Sequence, residues 1–150
     1  MATFIKKYVI DACALIAYFR DEEGGDKLEA LFEAAPHNKF FMHAVNLGEV
    51  YYDSLRVSGK EKAQALFEDV AKLPITLIWD LDESFIELIG QYKTSYRVSY
   101  ADCFLLALAE RENAIVISTD HHEFDVIDNT GELAFYWLRG RSDFKTRVRQ

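Results

Sequence analysis

The chain has 150 residues, of which 50% are hydrophobic and 14% are aromatic, and its formal net charge is −8 at pH 7. This length suits one globular domain with a sizeable core and leaves too little chain for two. The acidic balance argues against simple electrostatic attraction to nucleic acid. No apolar run reaches the roughly 18 residues that cross a bilayer, and no charged-then-apolar leader is present, so we expect a cytoplasmic protein without a membrane segment.

The first predicted elements are a strand and two helices. A buried strand over residues 7–10 leads into an apolar helix that contains residues 14–19. Gly24-Gly25 breaks this pattern, and a second helix over 26–35 places its apolar side chains on one face until Pro36 ends it. The strand-then-helix order is typical of α/β folds.

The middle of the chain repeats this alternation. A short strand is predicted over residues 39–42, and helices are predicted over 49–55 and 60–72. The next strand covers 75–79, and Asp82 or Glu83 opens the helix that follows. Nothing in this region repeats or becomes low in complexity, so we expect a continuous single domain.

The last elements are a buried helix and two strands. The helix over residues 100–111 is apolar around most of its circumference, which predicts a position in the middle of the domain. A strand over 114–118 follows, and a strand over 133–137 is expected near the sheet edge. Strands that alternate with helices in this way indicate βαβ units and a parallel sheet.

Charge is unevenly distributed between the body of the chain and its end. Residues 139–150 carry five basic residues and one acidic residue, whereas residues 1–138 carry 12 basic and 24 acidic residues. We therefore divide the chain into a domain over 1–138 and a basic C-terminal tail of the same domain over 139–150. Basic arms contact phosphates without conferring sequence specificity, although a solvated terminus is an equal alternative. Cys13 and Cys103 lack metal-site spacing and are expected to be small buried residues.

Four acidic residues lie where apolar segments change character. Asp11 and Asp120 follow predicted strands, while Glu49 and Asp102 lie in the first turns of predicted helices. Ligands of doubly wound sheets bind beyond the carboxyl ends of the strands, so Asp11 and Asp120 should point toward one rim. The other two acids join them only if their helices begin at that rim.

Each of these acids also has a purely structural interpretation. Glu49 stands three residues after Asn46, and Asp102 stands three after Ser99, which is the spacing of a helix capping box. Asp11 and Asp120 each precede a helix or turn and fit an N-cap. Taken singly, capping is the favoured interpretation of each acid, whereas the four together favour a shared site.

The chemistry of clustered carboxylates favours a divalent cation. Two unit charges about 4 Å apart repel by roughly 4 kcal/mol at an effective dielectric near 20, and a hard cation removes that repulsion. Mg²⁺ prefers oxygen ligands and retained waters, and Mn²⁺ accepts a similar site. A competing zinc site at His121-His122 with Glu123 and Asp125 is disfavoured, since adjacent histidines rarely face one centre. A solvent-facing loop or a histidine that contacts substrate is expected there instead.

Four segments together resemble the PIN domain, a metal-dependent ribonuclease fold found in toxins of VapBC-type toxin–antitoxin pairs and in RNA-processing enzymes. Residues 8–18 resemble its first strand, aspartate and helix start, and residues 46–52 resemble its second acidic motif. Residues 101–109 and 118–124 resemble the third and fourth. Each motif alone is weak, and together they are specific and cover most of the chain.

The resemblance implies a three-layer α/β/α domain with a central, mostly parallel sheet of about five strands. It implies an endoribonuclease in which Mg²⁺, or Mn²⁺ as a substitute, activates water for attack on an RNA phosphodiester. The ligands carried over by this resemblance are Asp11, Glu49, Asp102 and Asp120. Asn46, Ser118 and Thr119 are weaker candidates for orienting a ligand or water.

Two departures from the family pattern affect the fourth motif. Ser118 stands where the family more often has threonine, although a hydroxyl is retained. The stretch from Asp120 to Phe124 is one residue longer than in many relatives, so Glu123 or Asp125 is an alternative fourth ligand.

The resemblance also implies partners. It predicts an RNA substrate, a small cognate antitoxin whose C-terminal segment crosses the active-site groove, and a homodimer. Flanking phosphate contacts are expected from the basic tail and from Lys6, Lys7, Lys93 and Arg97, although solvated surface is the simpler role for most of them. Four aromatic residues belong either to such interfaces or to the core: Tyr51, Tyr52, Phe67 and Trp79. The alternative function is a catalytically silent PIN-fold protein or an RNA-binding module that acts through partner interaction.

Overall fold

A computed structural model describes residues 5–140. The strands in this range are β1 (Lys6–Ile10), β2 (Asn38–His43), β3 (Ile75–Ile78), β4 (Ile115–Ser118) and β5 (Phe135–Trp137). The helices are α1 (Ala12–Phe19), α2 (Gly25–Glu33), α3 (Ala44–Ser58), α4 (Lys60–Ala71), α5 (Glu83–Ser95), α6 (Tyr100–Glu112) and α7 (His121–Thr130). None of these helices is long and apolar enough to cross a membrane.

The five strands form one sheet in the order β3-β2-β1-β4-β5, and every neighbouring pair is parallel. The chain builds outward from β1 through β2 to β3 and then returns to β4 on the other side of β1. The strand order therefore reverses between β1 and β4, where Ile10 pairs with Ile117. Open α/β sheets bind ligands in the crevice at this switch point, beyond the carboxyl ends of the strands.

Helices cover both faces of the sheet and bury two apolar clusters. One cluster joins Val9 and Val116 to side chains of α5, α6 and α7, and the other joins Tyr8 and Ile10 to side chains of α1 to α4. Alternate residues of β1 thus enter opposite layers, as the pleat of a strand requires. The three-layer α/β/α architecture expected from the sequence is confirmed.

Helix α6 has the longest run of consecutive buried residues among the described helices. Every residue from 103 to 109 is buried, which confirms the central position predicted from its apolar circumference. Such continuous burial stabilises the position of α6 in the domain, because burying each large apolar side chain contributes about 1.5–3 kcal/mol to the free energy of folding. The N-terminal turn of α6, which carries Asp102, is therefore held against the sheet.

Two sequence predictions about helix boundaries are wrong. Helix α3 begins at Ala44, with His43 as its N-cap, so Glu49 lies in the second turn, and the predicted Asn46–Glu49 capping box does not form. His43 takes the cap position because its Nδ1 accepts a hydrogen bond from the backbone of Val45 at 3.1 Å. The loop expected around His121-His122 is instead the start of α7.

Candidate acidic site at the sheet switch point

Asp11 connects the end of β1 to the start of α1. It is the N-cap residue by backbone conformation, yet its side chain makes no capping bond. Instead its Oδ2 accepts hydrogen bonds from the Ser118 hydroxyl at 2.8 Å and from the Cys13 thiol at 3.0 Å. With 4% of its surface exposed, Asp11 is a buried carboxylate whose partners belong to the switch-point crevice.

Ser118 joins the ends of β1 and β4. Its fully buried hydroxyl donates to Asp11 and accepts from the backbone N–H of Asp120 at 3.0 Å. The hydroxyl therefore links the side chain of Asp11, which follows β1, to the backbone of Asp120, which lies just beyond β4. The sequence suggests that Ser118 orients a ligand or a water, and in the structure its hydroxyl donates a hydrogen bond to Asp11, one of the candidate ligands.

Asn46 links the second and third acidic segments. Its Nδ2 donates to Glu49 Oε1 at 3.2 Å and to the carbonyl of Ala101, the residue before Asp102, at 3.0 Å. Glu49 reaches the site from the second turn of α3 because residues three apart share a helix face. The fully buried Oδ1 of Asn46 has no hydrogen-bond partner within residues 5–140.

Asp102 is held at the first turn of α6 by the capping box that its spacing predicted. The backbone of Asp102 donates to Ser99 Oγ at 3.0 Å, and the Asp102 Oδ2 accepts from the backbone of Ser99 at 3.3 Å. The capping and shared-site interpretations are thus compatible here, because the box uses only one carboxylate oxygen.

Asp120 is the N-cap of α7, and its Oδ1 accepts from the backbone of Glu123 at 3.2 Å. The two alternative fourth ligands differ in their surroundings. Glu123 lies in the first turn of α7 with its carboxylate 3.9 Å from His122 Nε2, whereas the Oδ1 of Asp125 lies 2.8 Å from His121 Nδ1. Thr119, between Ser118 and Asp120, is buried.

His121 is a buried structural residue. Its Nε2 lies 2.8 Å from the carbonyl of Arg139, its Nδ1 contacts Asp125, and its ring stacks on Trp137 with centroids 3.8 Å apart. Both ring nitrogens are engaged within the protein. This geometry therefore leaves neither nitrogen of His121 to bind a zinc ion.

Burial, together with repulsion from neighbouring acids, raises the pKa values of two of the four acids. Burial raises the pKa of Asp11 to about 7, repulsion from Asp102 and Glu49 adds to the rise, and the bonds from Cys13 and Ser118 oppose it. Burial likewise raises the pKa of Asp102 to about 6, opposed by bonds from Ser99 and assisted by Glu49 and Asp120. Four segments distant in sequence thus bring carboxylates within electrostatic reach of one another.

The four carboxylates share one pattern of bonding. One oxygen of each is held by a protein donor, and the other accepts no hydrogen bond from residues 5–140. Within residues 5–140, no group of three or more His, Cys, Asp or Glu side chains has an arrangement that could bind a metal ion. Carboxylate oxygens are the ligands that Mg²⁺ prefers, and this ion is usually bound through one or two carboxylates and several waters.

A doubly wound parallel sheet with acidic residues collected at its switch point defines a class of α/β proteins with a polar site beyond the strand ends. Comparison with known protein families identifies one family within this class. The family model of the PIN domain matches residues 8–129, which include all four acids. The chain belongs to the PIN domain family, and this result confirms the resemblance drawn from its sequence motifs.

Solved structures with the same fold include toxin–antitoxin proteins. VapBC2 from Rickettsia felis, bound to a DNA fragment from its promoter, is 18% identical with a TM-score of 0.65, covering 87% of this chain and 97% of that chain. DNA-bound VapBC from Salmonella typhimurium is 14% identical with a TM-score of 0.67, covering 90% of this chain and 100% of that chain.

A third structure is VapC20 from Mycobacterium tuberculosis, a sarcin-ricin loop cleaving toxin. It is 12% identical with a TM-score of 0.64, covering 79% of this chain and 94% of that chain. At these identities the likeness concerns the fold. No curated protein matches the chain.

Proposed function

We propose that this protein is a divalent-metal-dependent endoribonuclease and the toxin of a toxin–antitoxin pair. The observation that carries the proposal is the group of four carboxylates at the sheet switch point, where Asp102 is coupled electrostatically to each of the other three and each carboxylate has one oxygen that accepts a hydrogen bond from the protein. Membership of the PIN family supports the choice of nucleic acid chemistry. A related fold in a toxin that cleaves the sarcin-ricin loop supports RNA as the substrate.

Asp11, Glu49, Asp102 and Asp120 would hold Mg²⁺, with Mn²⁺ as a substitute. A bound ion of this kind supplies charge neutralisation at the phosphate and lowers the pKa of a bound water. One feature of the chain fits it: hard oxygen donors lie beside the Oδ1 of Asn46, a buried acceptor without a hydrogen-bond partner among residues 5–140.

The remaining polar residues of the site act as positioning groups. Ser118 and Asn46 each hold a carboxylate oxygen in place, so the other oxygen keeps a fixed direction. Partners of this kind orient metal ligands, and their loss typically costs 10–100-fold in affinity or activity. Asp125 is a poorer ligand candidate than Asp120, since His121 already engages it.

A small antitoxin protein is the proposed partner. A solved structure with the same fold is a toxin–antitoxin complex from Klebsiella pneumoniae, and this chain exposes large apolar side chains that a partner would cover. Tyr52, Phe67 and Trp79 are exposed and therefore do not belong to the core, whereas Tyr51 is half-buried and stacks on Phe67. A homodimer remains a prediction.

The test is cleavage of a panel of structured and single-stranded RNAs by the purified protein with Mg²⁺ or Mn²⁺. EDTA and Asp11→Asn are paired controls, and Mn²⁺ binding is measured separately by calorimetry. We expect cutting that both controls abolish and Mn²⁺ binding that Asp11→Asn weakens. A folded, antitoxin-free protein that neither cuts nor binds metal would refute the proposal and favour a binding module.

A further inference from the structure

A cleft of about 380 Å³ lies between the α5–α6 connection and helix α7. We call it the α5–α7 cleft. One wall is the end of α5 with the residues that follow it, and the other wall is one face of α7. The lining residues are Ser95, Tyr96, Arg97, Val98, His122, Glu123, Val126 and Ile127.

Both walls of the α5–α7 cleft are continuous with the acidic site. Val98 directly precedes Ser99, whose backbone N–H bonds to Asp102. On the other wall, the backbone N–H of Glu123 bonds to Asp120. The lining of the cleft thus includes Glu123, which bonds directly to Asp120, and Val98, which is next to the Ser99 that bonds to Asp102.

Basic groups are placed on the first wall although the body of the domain is acidic. Arg97 is exposed and has no hydrogen-bond or ion-pair partner among residues 5–140. The ammonium group of Lys93 donates to the carbonyl of Val98 at 2.7 Å, which holds this wall and adds a second positive charge. An unpaired guanidinium next to a phosphodiester-cleaving site has the charge and donor geometry to bind a flanking phosphate.

The opposite wall combines apolar and polar surface. Val126 is 64% exposed, and His122 lies beside the Glu123 carboxylate at 3.9 Å. Across the cleft, Tyr96 is half-buried, its ring stacks on Tyr92, and its hydroxyl donates to Glu132 at 3.1 Å. Apolar surface suits the face of a base, and a carboxylate accepts hydrogen bonds from exocyclic amines on a base edge.

We propose that the α5–α7 cleft binds one nucleotide of the RNA next to the scissile phosphate, with its base unpaired. Arg97 binds the phosphate of this nucleotide, Val126 and Tyr96 contact the base, and Glu123 accepts from its amine. The volume falls within the range of about 300–1,000 Å³ that small-molecule pockets occupy. A base inside a duplex is stacked and paired and cannot enter, so the cleft selects single strands or loops. This inference rests on the proposed ribonuclease function.

The first test removes the positive charge of the cleft. Arg97→Gln is compared with Lys60→Gln, which removes one charge from an exposed position at the start of α4. We expect Arg97→Gln to raise KM for a ten-nucleotide single-stranded RNA several-fold with kcat unchanged, and to reduce the salt slope of binding by about 1, as loss of one phosphate contact does. Lys60→Gln should leave both quantities at the wild-type values.

The second test introduces negative charge into the cleft. Val126→Glu is compared with Val57→Glu, an exposed valine near the end of α3 that is eight residues beyond Glu49. Since both positions are exposed and helical, both variants should fold. We expect only Val126→Glu to weaken single-stranded RNA binding, by about tenfold, the order of one lost base contact. The same sequence as a duplex should bind weakly to all variants.

Affinity for the labelled ten-nucleotide RNA is measured by fluorescence anisotropy, and cleavage is measured in parallel. The two measurements test the α5–α7 cleft and the ribonuclease activity independently. Cutting by the wild type with no selective effect of Arg97→Gln or Val126→Glu would overturn the α5–α7 cleft and leave the nuclease standing. No cutting, with binding weakened by both cleft variants, would overturn the nuclease and leave the cleft. Equal affinity for the duplex would overturn the requirement for an unpaired base.

Discussion

Asp11 holds a carboxylate where burial and neighbouring acids disfavour its charge. Its pKa in the folded protein is about 7 against an ordinary value of 3.8. The folded state therefore binds this proton more tightly than the unfolded chain does, and the metal-free protein should lose stability as pH rises from about 4 to about 7. A rise of this size corresponds to at most about 4 kcal/mol.

Asp11→Asn removes this cost because an amide carries no charge to desolvate. In EDTA at pH 8 we expect the variant to unfold with a free energy higher than that of the wild type by about 1–4 kcal/mol, and the gain should shrink as pH falls toward 4. Urea unfolding at several pH values measures both. A variant that is less stable than the wild type at pH 8 would show that the carboxylate is stabilised by its donors more than it is penalised by burial.

Ser118 has a separate and measurable role, because one hydroxyl serves Asp11 and the backbone of Asp120. Ser118→Ala should lower kcat/KM for RNA by about 10–100-fold through loss of carboxylate orientation. Thr130→Ala is the matched control, since it also removes a hydroxyl that donates to one group and accepts from another, at the end of α7. Initial cleavage rates distinguish them. Equal losses in the two variants would mean that Ser118 acts through general stability alone.

At the scale of elements, the capping box of α6 both stabilises the helix and positions Asp102. Ser99→Ala should reduce the free energy of unfolding by about 1 kcal/mol and should also slow RNA cleavage. Asp82→Ala removes the N-cap of α5, where the carboxylate accepts from Phe85 at 2.9 Å and contacts none of the four acids. It should cost similar stability without slowing cleavage. Thermal melts and cleavage rates together separate the two roles, and a slowed Asp82→Ala enzyme would contradict this assignment.

Sequence patterns predicted the elements whose signals are local. Buried parallel strands are continuous apolar runs, so β1 and β4 were predicted from their β-branched residues, and Ser99 with Asp102 predicted a capping box that forms. The start of α3 was missed because it depends on His43, whose ring also bonds to the carbonyl of Asp80. Helix α7 was missed because its first residue is buried against Trp137 from β5.

Contacts between distant segments account for what sequence could not predict in the site. The Asp11–Ser118 bond joins residues 107 positions apart and exists only because β1 and β4 are neighbours. The bond from Asn46 to Ala101 similarly requires α3 and α6 to meet. The sequence identified the four acids as candidate site residues from their types and positions. That they lie near one another depends on the strand order, which the sequence does not show directly.

At the scale of the whole molecule, an acidic domain must meet a polyanionic substrate. The basic tail was predicted to help, and residues 141–150 of it lie outside the described residues. That stretch carries four basic residues and one acidic residue. The described part of the tail begins with Arg139, whose carbonyl lies 2.8 Å from His121 Nε2 at the first residue of α7. The described part of the chain therefore ends beside His121, which directly follows Asp120 in sequence.

Truncation after Gly140 should therefore weaken RNA binding and leave the His121 contact intact. We expect the salt slope of log affinity to decrease in magnitude by up to about 3, because each neutralised phosphate contributes about 0.7 for single strands and four basic groups are removed. A full-length variant with Arg141, Lys145, Arg147 and Arg149 changed to Gln tests charge separately from length. Anisotropy titrations between low and moderate salt provide the measurement. If the Gln variant binds like the wild type while the truncation does not, the tail acts through something other than its charge, and if neither changes, RNA affinity comes from the domain alone.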